Sequence, residues 1–214
     1  MNIMVLGPLG SGKGTQARLI AKELNLFYFE SGKFLRELAK SDSSIDERIN
    51  KKGELLPDEE MFSLLTKHIE DKNPARENLL LEGYPRSIKQ YELLKEWLTE
   101  KSQQIDKAIF LEISEKEVMR RTSARRIDRK TGEIYNLITN PPSQDVDTKN
   151  LYQRPDDKPE AIKKRIDWFK DSVLPLVDVL EKEGILEKVN GERPIKIILE
   201  DILSRLEGNE DEKN

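Results

Sequence analysis

Five short strand candidates led by apolar residues recur along the chain, at residues 3–6, 27–29, 79–81, 108–113 and 186–189. Each is long enough for a buried strand and too short for a helix. Between them the apolar positions fall at helical spacing. Ala17, Ile20 and Leu24 make one stripe, and Tyr91, Leu94 and Leu98 another. Ser114 and Glu117 have the spacing of a capping box that opens a helix. A longer helical pattern covers 159–183 with Pro175 inside it, which predicts a kink near Leu174. Strands alternating with helices predict an α/β fold, a parallel sheet flanked by helices on both faces.

Two stretches break the alternation. Residues 30–58 carry two short helical patterns and a turn at 53–57, while 127–155 is rich in Asp, Thr, Asn and Pro and lacks helical periodicity. Segments of that length are uncommon in a compact domain unless they form functional lids. The expected organisation is a core of 1–29, 59–126 and 156–206, with two small inserted subdomains at 30–58 and 127–155. The acidic end, 207–214, reads as a disordered tail.

Composition narrows the function classes. The chain has 214 residues, 36% of them hydrophobic and 36% charged, enough to bury a core as one large domain with inserts. No apolar run approaches the ~18 residues of a membrane helix, and Met1 leads straight into the first strand without a leader pattern. The expectation is therefore a cytoplasmic protein with no membrane partner. A net charge of −4 argues against a general nucleic-acid surface. With no cysteine there are no disulfides and no thiolate zinc site.

The candidate chemistry begins at the first strand. Residues 2–15 read N-I-M-V-L-G-P-L-G-S-G-K-G-T, in which Gly7, Gly12 and Lys13 fit the first seven positions of the phosphate-loop pattern. Glycines there let backbone N–H groups wrap phosphate oxygens, and the lysine neutralises their charge. Gly14 stands where Ser or Thr is usual, with Thr15 next. A second signature, L-L-L-E-G-Y-P-R-S at 79–87, ends a buried strand on Glu82, where a phosphate-loop enzyme places a carboxylate for magnesium or its waters. Arg86 then brings a guanidinium fork suited to phosphate.

With these residues in view, the chain resembles the adenylate kinases from residue 1 to about 206. The resemblance rests on G-x-x-G-x-G-K-G-T at the start, S-G-x-x-L-R at 31–36, E-G-Y-P-R-S-x-x-Q at 82–90, R-T-S-A-R-R at 121–126, N-P-P at 140–142, R-P-D-D at 154–157 and Arg165. It implies a P-loop NTPase fold with an NMP-binding insert and a long lid, and reversible phosphoryl transfer from Mg-ATP to AMP giving two ADP. It implies ATP binding by Gly10, Ser11, Gly12, Lys13, Gly14, Thr15, Arg121, Arg125, Ile134, Tyr135 and Arg193. It implies AMP binding by Ser31, Arg36, Glu54, Leu55, Leu56, Gly83, Tyr84, Pro85, Arg86, Gln90, Arg154 and Arg165, with Gln90 reading adenine. Lys13, Arg86, Arg125, Arg154 and Arg165 would carry the transfer. Mg2+ arrives with ATP, with no direct protein ligand and Glu82 acting through a metal-bound water. ATP, AMP and ADP are the partners, and a monomer is expected. The alternatives are another nucleoside monophosphate kinase, acting on UMP or CMP, and a nucleotide-binding relative with impaired catalysis.

Several positions depart from the family pattern. Lys33 and Glu82 stand where Asp is usual, and these two carboxylates together orient magnesium's water shell. Lys33 could pair with Glu82 or contact phosphate, and Glu30 could restore negative charge, so weaker magnesium dependence or reduced turnover is expected. Leu9 replaces a proline. In the lid, Asp128, Thr131, Asp145 and Thr148 repeat a D-x-x-T spacing. Without cysteine or a lid histidine, structural zinc is not expected there; the four read either as a hydrogen-bonded polar cluster or as solvated loop residues. His68, the only histidine, reads as a surface or packing residue. Arg18, Arg48, Arg76 and Arg205 read as solvated surface ion-pair residues.

Overall fold

The computed structural model describes residues 1–51 and 56–208, without the side chains of Asn50, Lys51 and Pro155. Glu54 and Leu55, expected in the AMP site, and the end of the chain from 209 lie outside the described residues.

The five strand candidates form one parallel sheet. Its strands are β1 (Ile3–Leu6), β2 (Phe27–Glu30), β3 (Leu79–Glu82), β4 (Lys107–Glu112) and a last strand at Leu186–Asn190, which is β8 in chain order. The spatial order is β2-β3-β1-β4-β8. Alternation within each strand divides the core. Ile3 and Val5 point to one face with Leu80, Ile109 and Leu111, against Ala17 and Ile20 of α1 (Lys13–Glu23) and Ile198 and Ile202 of α8 (Ile195–Glu207). Met4, Leu6, Leu79, Leu81 and Phe110 point to the other face. They pack on α4 (Asp58–Glu70), α5 (Ile88–Thr99) and α7 (Pro159–Lys182). Near-continuous apolar strands are what a parallel sheet covered on both faces requires.

The helix of 159–182 runs without a break through Pro175, so the expected disturbance at Leu174 does not divide it. Leu174 and Pro175 are exposed, which leaves the carbonyl that the proline cannot bond facing water. At the far end, Glu207 is the last residue of α8 rather than the first residue of a tail.

Residues after β2 fold as α2 (Ser31–Leu38), the short α3 (Ser43–Asp46) and a wide helical turn at Glu47–Lys51. Glu30 itself still belongs to the central sheet, paired in register with Glu82. After α6 (Glu115–Ser123) comes a separate antiparallel sheet that the lack of periodicity in 127–155 did not announce. It contains β5 (Arg125–Asp128), β6 (Ile134–Asn136) and β7 (Leu151–Tyr152), in the order β6-β5-β7. Ser114 caps α6 by accepting the Glu117 N–H, but the box is only half formed. Glu117 spends its carboxylate on Arg120 and Arg121, and Glu192 accepts the Ser114 N–H instead. Among the described residues, no helix is long and apolar enough to cross a membrane.

Candidate active site

In a sheet of this order the chain leaves β1 between strands added on opposite sides, so a crevice opens at the carboxyl ends of the strands. The glycine-rich loop lies there. Gly10 and Gly12 have φ of +74° and +90°, a left-handed region that a side chain disfavours. A Cβ on Gly10 would come within 2.9 Å of the Thr122 hydroxyl. Gly12 caps α1 without a side-chain partner, so the helix's first N–H groups stay open to an anion. The Ser11 hydroxyl is buried with no hydrogen-bond partner in the described structure, an unmet polar group on the same loop. Leu9 is buried against Val118, Ile162 and Ile166, so it anchors the loop to α6 and α7.

Lys13 reaches over this loop. Its Nζ lies 3.4 Å from the Pro8 carbonyl and 3.9 Å from Glu82. Burial pulls its pKa down to about 8 against the attraction of Glu82, and repulsion from Arg86, Arg165 and Arg125 adds to the fall. Arg165 is likewise held down to about 10, first by burial, against Asp156, with Arg125, Arg86 and Arg154 repelling it. Arg154 and Arg86 are lowered by burial as well, and each feels the charge of Arg36. Six cations on six different elements and loops therefore face one another, in a crevice that is ready for several negative charges.

Four carboxylates lie among these cations. Asp157, with no exposed surface, takes Arg125 through both oxygens, one bond being 2.9 Å from Nε. Asp156 sits between Arg165 at 2.6 Å and Arg154 at 3.8 Å. Glu30 lies 3.3 Å from Arg36 and 3.6 Å from Arg18. Glu82 is buried beside Lys13, and desolvation raises its pKa while the lysine opposes that rise. Lys33 is exposed on α2, and among the described residues it makes no ion pair with Glu82, whose partner is Lys13.

The other half of the crevice is built around Gly83. Its carbonyl accepts from the Ser31 hydroxyl at 2.7 Å and from Arg86 Nε at 2.6 Å, while Arg86 Nη2 reaches the same hydroxyl at 3.1 Å. Gly83 has a φ of +72°, and a Cβ there would lie 2.7 Å from Ser31 Oγ. Tyr84 is buried and joined to Pro85 by a cis peptide. Gln90, also buried, accepts the Arg86 N–H at 2.7 Å and donates to Asp58 at 2.8 Å. Leu56 is buried in the same core cluster as Tyr84.

Comparison with known proteins gives the family. The family model described as "Adenylate kinase" matches residues 5–185. A curated protein named adenylate kinase from Thermosipho africanus is 34% identical over 211 residues, covering 95% of this chain and 98% of that one. Those from Archaeoglobus fulgidus and Staphylococcus aureus are 34% and 33% identical over 214 residues, covering 97% of this chain and 98% and 99% of theirs. The chain belongs to the adenylate kinase family.

Of the other residues expected from the adenylate kinase resemblance, Arg121 lies against the glycine-rich loop. Arg121 is buried, tied to Glu117 and to the Gly191 carbonyl at 2.8 Å, and its Cβ stands 3.4 Å from where Gly10 would carry one. Arg193 donates to the Asn190 carbonyl at 3.1 Å and pairs with Asp201. Ile134 and Tyr135 lie on β6, the isoleucine exposed and the tyrosine bonded to Glu133 at 2.7 Å.

The lid cluster is not a connected network. Asp128 accepts the N–H groups of Lys130 and Thr131, Thr131 accepts that of Glu133, and Asp145 accepts from Ser143. Asp128, Thr131 and Asp145 line one hollow, but among the described residues the one bond between members is from the Thr131 backbone N–H to Asp128, and no side-chain-to-side-chain hydrogen bond links any two of the four. Each polar group is satisfied by its own turn, as short Asp and Thr side chains in loops often are. Arg76 is not a solvated surface residue either. It is buried, stacked 4.2 Å over the Trp97 ring, and bonded to Glu70 at 2.5 Å and Glu100 at 2.8 Å. His68 packs on Phe34 and Phe29, with ring centroids 4.6 and 5.7 Å away.

Sequence reasoning gave no role to Asp58, Asp156 or Asp157. The acids in R-P-D-D stood beside Arg154 in the motif itself, which was the available signal. For Asp58 none was available, since its partners Ser87 and Gln90 are about thirty positions away.

Proposed function

We propose that the crevice holds ATP on the loop of residues 7–15 and AMP against Ser31, Arg36, Gly83, Arg86 and Gln90, and that Lys13, Arg86, Arg125, Arg154 and Arg165 stabilise the group in transit. The reaction is that of the family, ATP plus AMP giving two ADP. The observation that carries the residue-level reading is the convergence of Lys13, Arg36, Arg86, Arg125, Arg154 and Arg165 on one crevice.

An oxygen of the AMP phosphate attacks the γ-phosphorus of ATP, and the bond from that phosphorus to the β–γ bridging oxygen breaks. Charge spreads over the three equatorial oxygens, so fixed cations supply most of what the protein adds. No general base is needed, because the attacking phosphate is already anionic. These cations are half-buried, so each interaction is stronger than it would be in open water. Arg121, Ile134, Tyr135 and Arg193 complete the ATP side in this reading, and Tyr84, Pro85 and Leu56 wall the AMP side.

The strand ends fit a hydrated magnesium ion, because Glu82, beside Lys13, and its register partner Glu30 end adjacent strands with carboxylate oxygens that suit a hard cation's waters. Glu82 and Glu30 would hold metal-bound waters, and the ion would supply positive charge to the phosphates of ATP. The same reading gives a monomer working in the cytoplasm.

The test is ADP formation from ATP with AMP, GMP, CMP or UMP, across a magnesium titration with a chelator control. AMP-selective, magnesium-dependent turnover is expected. Preference for UMP or CMP would overturn the acceptor assignment, and tight nucleotide binding without turnover would overturn the catalytic one.

A further inference from the structure

Asp58 opens α4, yet its carboxylate is turned across to the start of α5. One oxygen accepts from Gln90 Nε2 at 2.8 Å and the other from the Ser87 hydroxyl at 2.8 Å. Ser87 is in turn the N-cap of α5 and accepts the Gln90 N–H at 3.1 Å. On its other side, Gln90 Oε1 accepts the Arg86 N–H at 2.7 Å.

These partners fix which way the Gln90 amide faces. A backbone N–H can only donate and a carboxylate can only accept, so Oε1 must meet Arg86 and Nε2 must meet Asp58. Turning the amide over would set donor against donor and acceptor against acceptor. A primary amide has two acceptor sites and two donors, and the two bonds use one of each. What remains on this buried side chain is one lone pair on Oε1 and one N–H on Nε2. That pair matches the edge of a 6-aminopurine, whose amino group donates and whose neighbouring ring nitrogen accepts. A 6-oxopurine presents an acceptor where Oε1 already offers one, and it would be welcomed only by the overturned amide.

We propose that Asp58 is a positioning residue for acceptor selectivity, locking the Gln90 amide in the orientation that accepts AMP and rejects 6-oxopurine monophosphates. This rests on the reading that Gln90 meets the acceptor base. The lock is needed because an unconstrained amide can serve either edge by rotating, and selectivity built on hydrogen bonding collapses when the site can re-pair.

The experiment measures kcat and KM for AMP, GMP and IMP in the wild type and in Asp58→Asn, Asp58→Glu and Gln90→Leu, with thermal melting to confirm folding. In Asp58→Asn a second amide can rotate together with Gln90, which leaves the Arg86 N–H as the one obligate partner still opposing the turn, so the AMP:GMP and AMP:IMP ratios of kcat/KM should fall several-fold. The change should lie mainly in KM for the monophosphate, with KM for ATP unchanged. Asp58→Glu keeps an obligate acceptor and should retain most of the selectivity. Should the asparagine variant unfold below the assay temperature, Asp58→Ser, a good residue at a helix start, is read in the same way. If Gln90→Leu abolishes the preference while Asp58→Asn or Asp58→Ser leaves it intact, the inference about Asp58 is wrong. A uniform loss for all three acceptors overturns it too, since that marks a structural role. If Gln90→Leu itself keeps the preference, the underlying base-contact reading fails instead.

Discussion

Arg125 is held by Asp157, a carboxylate with no exposed surface, through two hydrogen bonds from the same guanidinium. The pair joins the first residue of the lid sheet to the segment that follows it, so it fixes where a lid strand leaves the core. It also supplies a full negative charge among cations that repel one another.

Asp157→Asn should therefore damage both stability and catalysis. Removing one partner of a buried ion pair costs about 3–5 kcal/mol, and the slight exposure of Arg125 favours the lower end. Urea unfolding should show a loss of about 3 kcal/mol, and kcat should drop by one to two orders of magnitude as Arg125 loses its fixed position. A variant with full kcat would mean that Arg125 takes its working geometry from the nucleotides alone.

The Lys13 pKa of about 8 predicts a pH-dependent ATP affinity. In the free protein Lys13 loses its proton as pH rises through 8, and with it the charge that meets the phosphates. Affinity should fall between pH 8 and 9.5, where ATP itself is fully ionised. Binding at pH 8 should draw in up to about half a proton, because bound phosphate favours the charged lysine. The stability trend has the opposite sign. A lysine with a lowered native pKa is charged in both states below 8, whereas between 8 and 10.5 only the unfolded chain holds the proton. Its contribution to stability therefore rises across that window. Calorimetry in buffers of different ionisation enthalpy reads the proton directly, and zero uptake at pH 8 would contradict the assignment.

Gly83 is the pivot of the proposed AMP half-site, and Gly83→Ala tests whether that pivot matters. The left-handed φ and the 2.7 Å approach to Ser31 Oγ combine backbone strain with a side-chain clash. Strain of this kind costs about 1–3 kcal/mol, and relief requires Ser31 or Arg86 to move. Melting temperature should fall, and KM for AMP should rise at least several-fold while KM for ATP stays near its wild-type value. An equal effect on both substrates would show that the crevice is disturbed as a whole.

The central sheet was legible because its inner strands β1, β3 and β4 are near-continuous apolar runs, which parallel strands covered on both faces demand, whereas the edge strand β8 reads L-E-K-V-N. The lid sheet was not, because β6 and β7 have three and two residues and neither buries an alternating face. The phosphate loop and the Gly83 turn were legible in glycines, whose positions are dictated by backbone conformation. The carboxylates that organise the arginines were not, since an aspartate's partner depends on tertiary contacts that no local spacing encodes. Arg76 shows the converse, where a residue that reads as surface charge is enclosed by an aromatic ring and two glutamates.

Lys33 offers the remaining prediction. It stands exposed on α2, three residues beyond Glu30, and Glu30 and Glu82 end adjacent strands in register. The two glutamates give the strand ends their negative charge, and Lys33 adds a positive one near them. Lys33→Asp changes the local charge by two units without touching a buried contact, so the fold should be unaffected. The magnesium concentration for half-maximal turnover should fall several-fold, and Mn2+ should bind the ATP complex correspondingly tighter by electron paramagnetic resonance. Glu82→Gln should act in the opposite direction on Mn2+ binding. It also removes the charge that sustains Lys13, so ATP affinity should begin to fall at a lower pH. If neither magnesium demand nor Mn2+ affinity responds to Lys33→Asp, the lysine is too well screened by water to reach the metal, and the two glutamates alone set its binding.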